Sequence, residues 1–185
     1  MKASAFVRLR SLRLIGFAAM LSGCSYGVRG GPTTVLNTAG VASIGGGVTA
    51  GFGLADDKGE LQGLHLTGSL YNLGYDLVGK GLAGLGGAGF EYFYQPLGGH
   101  PFGFRAGLEV GLGATPQFPI GLIGASAGAR YAFVDGNSFP FIDLGGSIGP
   151  GVGMEGDAGN SSSWGLAGTI NLSVGWLHVD HFGLK

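Results

Sequence analysis

From residue 41 almost to its carboxyl end, the chain repeats one pattern: apolar residues at every second position, with glycine or a small polar residue between them. Between Val41 and Ala55 the even positions read Ala42, Ile44, Gly46, Val48, Ala50, Phe52 and Leu54, against Ser43, Gly45, Gly47, Thr49, Gly51 and Gly53 at the odd ones. Side chains on a strand point alternately to opposite faces, so a period of two builds one apolar face and one small or polar face. Helices need apolar residues at spacings of three and four, and no run of that kind follows the first two dozen residues. This part of the chain is expected to be all-β.

Glycine accounts for 42 of 185 residues, against an average of about 7%. Disordered chains are poor in apolar residues and rich in charge, whereas this one is 45% hydrophobic and 11% charged. A collagen period of three is absent. The glycines therefore belong to strands, where they fill one crowded face.

Six more strands follow the first. In 61–75, Leu64, Leu66 and Leu70 oppose His65, Thr67, Ser69 and Tyr71; in the next, Leu82, Ala88, Phe90, Tyr92 and Tyr94 oppose Gly87, Gly89 and Glu91. The alternation is sharpest where Phe102, Phe104, Ala106, Leu108, Val110 and Leu112 oppose Gly103, Arg105, Gly107, Glu109, Gly111 and Gly113. Later strands set Ile123 to Phe133 against Ser126, Gly128 and Arg130, then Ile142, Leu144 and Ile148 against Asp143, then Trp164 to Trp176 against Thr169, Asn171 and Ser173. Turns fall at 55–60, 79–81, 95–101, 115–119 and Asp135-Gly136-Asn137-Ser138. A polar loop over Gly151 to Ser163 is the longest connection and the best candidate contact surface.

Strands this long match or exceed the 9–11 residues that cross a bilayer at a tilt. A closed sheet has no unpaired edge, and single-chain bacterial barrels have even strand counts. The fold class is accordingly a small antiparallel up-and-down β-barrel of eight strands. The eighth strand lies within either Gly31 to Thr38 or Leu177 to Lys185.

Glu91, Arg105, Glu109, Arg130 and Asp143 all fall on the glycine face, as a polar lumen requires. A hairpin on Gly136-Asn137 sets Arg130 across from Asp143, and one centred on Gly98 sets Glu91 across from Arg105; such lumen ion pairs would neutralise one another and plug the interior. Up-and-down strands also gather Phe52, Phe90, Tyr92, Tyr94, Phe102, Phe104, Tyr131, Phe133, Phe139 and Phe141 toward one end, as an interfacial aromatic girdle would. The architecture resembles the eight-stranded outer-membrane barrels of the OmpA and OmpX type, whose interiors are packed with polar side chains.

The first residues are a separate unit. Lys2, Arg8, Arg10 and Arg13 precede the apolar run Leu14 to Leu21, the composition of an export signal too short to span permanently. Leu21-Ser22-Gly23-Cys24 closes it and resembles the lipobox of bacterial lipoproteins. That resemblance implies cleavage after residue 23, diacylglyceryl attachment to Cys24, and acylation of the new amino group, which together anchor a protein stably. Ser25, rather than an aspartate, follows the cysteine, which in that family favours the outer membrane. The expected organisation is signal peptide 1–23, lipidated tether 24–31 and barrel 32–185.

Removing the leader leaves six basic residues against eleven acidic ones, which disfavours nucleic acid as a partner. With Cys24 the sole cysteine, no internal disulfide can form. His65, Ser69 and Tyr71 share an inward face, but serine and histidine four positions apart stand about 13 Å from one another, too far for a nucleophile and its base. His178, Asp180 and His181 lack the further donor that a metal site needs. No metal or cofactor is expected. The sequence thus favours a non-catalytic outer-membrane lipoprotein in a structural or surface-interaction role, embedded in or tethered to the membrane. The alternatives are a lipid-acting hydrolase and a tethered soluble barrel binding a small apolar ligand.

Overall fold

A computed structural model describes residues 23–37, 42–56, 60–77, 80–96, 99–114, 116, 119–133, 136–154 and 162–181. These form eight strands: β1 (Gly23–Asn37), β2 (Ala42–Asp56), β3 (Glu60–Asp76), β4 (Gly81–Pro96), β5 (Phe102–Ala114), β6 (Pro119–Ala132), β7 (Ser138–Met154) and β8 (Ser162–His181). Each pairs antiparallel with its sequence neighbours, and β1 pairs with β8, so the sheet closes into a barrel. Closure satisfies the edge hydrogen bonds that an open sheet would leave bare. Eight strands make a wall just wide enough inside for side chains to fill.

The eighth strand is β1, and it begins earlier than either segment that the alternation suggested. Residues 24–31, expected as a tether, are its first half and pair with both β2 and β8. The same parity runs through them: Tyr26, Val28 and Leu36 are exposed on the outer face, while Ser25, Thr33 and Val35 are buried inside. The expected 151–163 loop also shrinks, because Gly153 pairs with Ser163 and Met154 with Ser162. Its remainder lies outside the described residues, as do the expected leader 1–22 and the segment 182–185.

Strand β3 departs from strict alternation at Tyr71–Asn72. Leu70 pairs with Gly86 but Asn72 with Leu85, so one extra residue is inserted. Both Tyr71 and Asn72 are buried. Beyond this bulge the outward positions switch from even (Leu66, Leu70) to odd (Leu73, Tyr75).

The β2–β3, β4–β5 and β6–β7 connections share one rim with both ends of the described chain, here called the terminal rim; the other four connections fall at the opposite rim. Lys80 and Gly99 hold left-handed backbone just outside their strands, at φ 53° and 92°.

Candidate functional site

The barrel interior is stacked in three layers. At the terminal rim Ala55, Leu61, Phe93, Ala132, Phe139, Phe141, Leu177 and Val179 form an apolar plug. At the opposite rim Val35, Tyr71, Leu85 and Leu122 form a smaller one, with Ile120 and Ala167 packed against it. Between them lies a belt of charge.

The belt stitches strands together across the lumen. Arg29 of β1 donates through Nη1 and Nη2 to the two carboxylate oxygens of Glu91 on β4, at 2.9 and 2.7 Å. Arg105 of β5 reaches Glu91 at 3.4 Å and Asp143 of β7 at 2.8 Å. Arg130 of β6 stands 3.9 Å from Asp143 and lays its guanidinium over the Phe141 ring, 4.0 Å from the centroid. Arg105 Nη2 also donates to Asn171 of β8 at 3.4 Å. Buried ions are tolerated only when paired and hydrogen-bonded in this way.

Glycines opposite the arginines make the space. A Cβ on Gly128 would stand 2.8 Å from Nε of Arg105, so the guanidinium lies flat on bare backbone there. Neutral rungs continue the lacing: Thr33 donates to Asn72 Oδ1 at 3.1 Å, Asn72 in turn bonds Ser43, Ser69 donates to Thr49 at 3.0 Å, and Ser147 meets Thr169 at 2.8 Å.

The ionisable residues expected in the lumen all lie there, with altered partners. Arg130 does pair in register with Asp143. Glu91, however, pairs in register with Gly107, and Arg105 with Phe93, because the β4–β5 turn extends through Pro101. Glu91 takes its closest contacts from Arg29, a residue that the tether assignment hides. A signal for it exists in the sequence: Arg29 alternates with Tyr26 and Val28 on the small-residue face of β1. Glu109 faces Tyr71 and Ser147 and belongs to none of the interior ion pairs.

His65 is not near Ser69's hydroxyl; its Nε2 lies 2.6 Å from Ser25 Oγ. Glu91 is its partner across the β3–β4 ladder. The trio has the residue types of a hydrolytic triad, yet Ser25 is 1% and His65 4% exposed, on the inner face beside Phe93. His178 stacks on Trp176 and bonds Asp180 at 2.8 Å on the terminal rim. Among the described residues no group of three potential metal ligands converges.

The outer face is apolar around the whole circumference. Val28, Val48, Leu66, Phe90, Leu108, Ile123, Leu144 and Leu172, one from each strand, are between 42% and 68% exposed. Among the described residues the exposed charges on strands are Glu60 and Asp180, both at strand ends on the terminal rim. Aromatic side chains collar that rim in touching groups: Tyr92, Tyr94 and Phe104; Phe102, Tyr131 and Phe133; Tyr26 and Trp176. Phe139 and Phe141 are the exceptions to the expected girdle. They are 1% and 3% exposed because they share the parity of Asp143, and they form part of the inner plug.

No protein-family model and no curated protein matches the chain. Among solved structures it is similar to a major outer membrane protein from Thermus thermophilus, at 17% identity and a TM-score of 0.40, over 85% of this chain and 99% of that one.

Proposed function

We propose that this chain is an outer-membrane lipoprotein whose barrel itself sits in the bilayer and serves a structural or surface-interaction role without catalysis. The carrying observation is the outer face: a closed wall, apolar on every strand, with its mid-strand charges turned inward. Water would penalise such a surface on all sides, whereas hydrocarbon accepts it. A 15-residue strand such as β2 extends about 50 Å and, tilted by about 40°, spans the apolar core with turns to spare. The aromatic collar suits one headgroup interface.

Cys24 fits the same reading. It shares the outward parity of Tyr26 and Val28 at the start of β1 and is partly exposed. Acyl chains on its sulfur would lie along the aromatic collar with no intervening tether, holding the terminal rim at the leaflet where the lipid is inserted. The opposite rim would then face away from that leaflet, toward whatever the protein meets.

The hydrolase reading draws on the Ser25–His65 contact, but that pair is buried within the terminal plug, Ser25 in register with Val179 and His65 against Phe93, and faces away from lipid. An acyl ester outside the wall has no approach to it.

The test is a gel comparison of unboiled and boiled membrane fractions from wild type and Cys24→Ala. An embedded barrel should migrate differently unboiled, and the variant should remain in the membrane. Appearance of folded Cys24→Ala in the soluble periplasmic fraction would overturn embedding in favour of a tethered soluble domain.

A further inference from the structure

On the outer wall, across β3 to β7, lies an open groove of about 720 Å³, lined among others by Leu66, Phe90, Leu108, Ile123, Ile148 and Pro150. Small-molecule sites typically have volumes of about 300–1,000 Å³. We propose that this groove binds a hydroxyl-bearing acyl chain, whose hydroxyl donates to the main-chain carbonyl of Ile123. The inference rests on the reading of the barrel as embedded in lipid.

An interruption of the β6–β7 ladder supplies the acceptor. Leu122 pairs with Gly151 and Ala125 with Ile148, but Ile123 and Gly124 between them have no partner on β7. Continuing the register sets Ile123 opposite Pro150, which has no N–H to give. The β7–β8 ladder runs unbroken through Pro150 and Leu166, so the missing donor belongs to the side of Pro150 turned toward β6. The carbonyl oxygen of Ile123 lies in that gap, against Gly149. Proline is normally kept to edge strands, strand starts and bulges because it breaks a ladder in this way, yet β7 is paired on both sides.

A backbone acceptor without a donor is costly where hydrocarbon replaces water. The outward side chains around the groove are apolar and offer no donor, and a plain hydrocarbon tail offers none either. An acyl chain with a hydroxyl along its length supplies both parts of the match: apolar length against Phe90, Leu108 and Ile148, and one donor at the seam. Among the described residues the exposed charges on strands lie at the terminal rim, away from the groove, so recognition here is by a hydroxyl and not by a charged headgroup.

The experiment heats the detergent-purified full chain with two probes that differ by one hydroxyl, ricinoleic acid and oleic acid. The temperature at which the folded gel band is lost should rise by about 3 °C more with ricinoleic acid. Pro150→Ala returns an N–H to the ladder and should abolish that preference while keeping the response to oleic acid. Leu108→Trp, which fills the groove, should remove the response to both. Equal shifts with the two acids, or a preference that survives in Pro150→Ala, would overturn the proposal. Those outcomes leave embedding standing, whereas folded Cys24→Ala in the soluble periplasm would overturn embedding and this inference with it.

Discussion

Asp143, like Glu91, is the shared counter-charge of two arginines from different strands, and of the two it is the more deeply buried. Replacing it with asparagine preserves shape and removes charge, leaving Arg105 with Glu91 at 3.4 Å and Arg130 with no carboxylate in an ion pair. Breaking a buried pair from one side typically costs about 3–5 kcal/mol, since the partner's desolvation is no longer offset. Asp143→Asn is therefore expected to lower the urea midpoint of the refolded barrel substantially. Glu109→Gln, at a residue outside those ion pairs, should shift it much less. Comparable shifts for the two variants would show that the belt does not hold the barrel together.

At the scale of elements, the bulge in β3 decides which face the second half of that strand presents. Tyr71 and Asn72 turn inward together, and Asn72 ties β3 to Thr33 of β1 and Ser43 of β2. Deleting Asn72 would restore simple alternation with Tyr71 inward and Leu73 and Tyr75 still outward, so the wall would keep its faces and lose the ties from Asn72 to Thr33 and Ser43. The heat-modifiable band should then persist with a lowered urea midpoint, and its loss would show that the bulge itself is needed to close the wall. Most of the wall is legible in the sequence because alternation needs no partner: seven strands, their inward charges and most of the outward aromatics follow from parity alone. The rest depends on other information. The start of β1 is masked by its proximity to Cys24, where a processing motif suggests a tether. Phe139 and Phe141 lie near a strand end, which suggests the girdle, whereas parity with Asp143 turns them inward. Contacts across the lumen, such as Arg29 to Glu91 and Ser25 to His65, join strands that are not neighbours in the sheet, and no local pattern encodes them.

Taken whole, the molecule is a tube stopped at both ends, with an ionic belt sealed between two apolar plugs. Planar-bilayer recordings of the purified chain should show no steady conductance, and a stable open level would contradict the stacked interior. Gly23 and His181 are partners in the β1–β8 ladder, so the seam of the wall joins the first of the described strands to the last. Until β8 has arrived, every shorter chain is a curled sheet with two raw edges, competent to pair with a stranger. Closure is a long-range event that local hairpins cannot anticipate. A chain truncated before β8 would therefore be more hazardous than one missing a loop, because both of its edges stay open until the cylinder shuts.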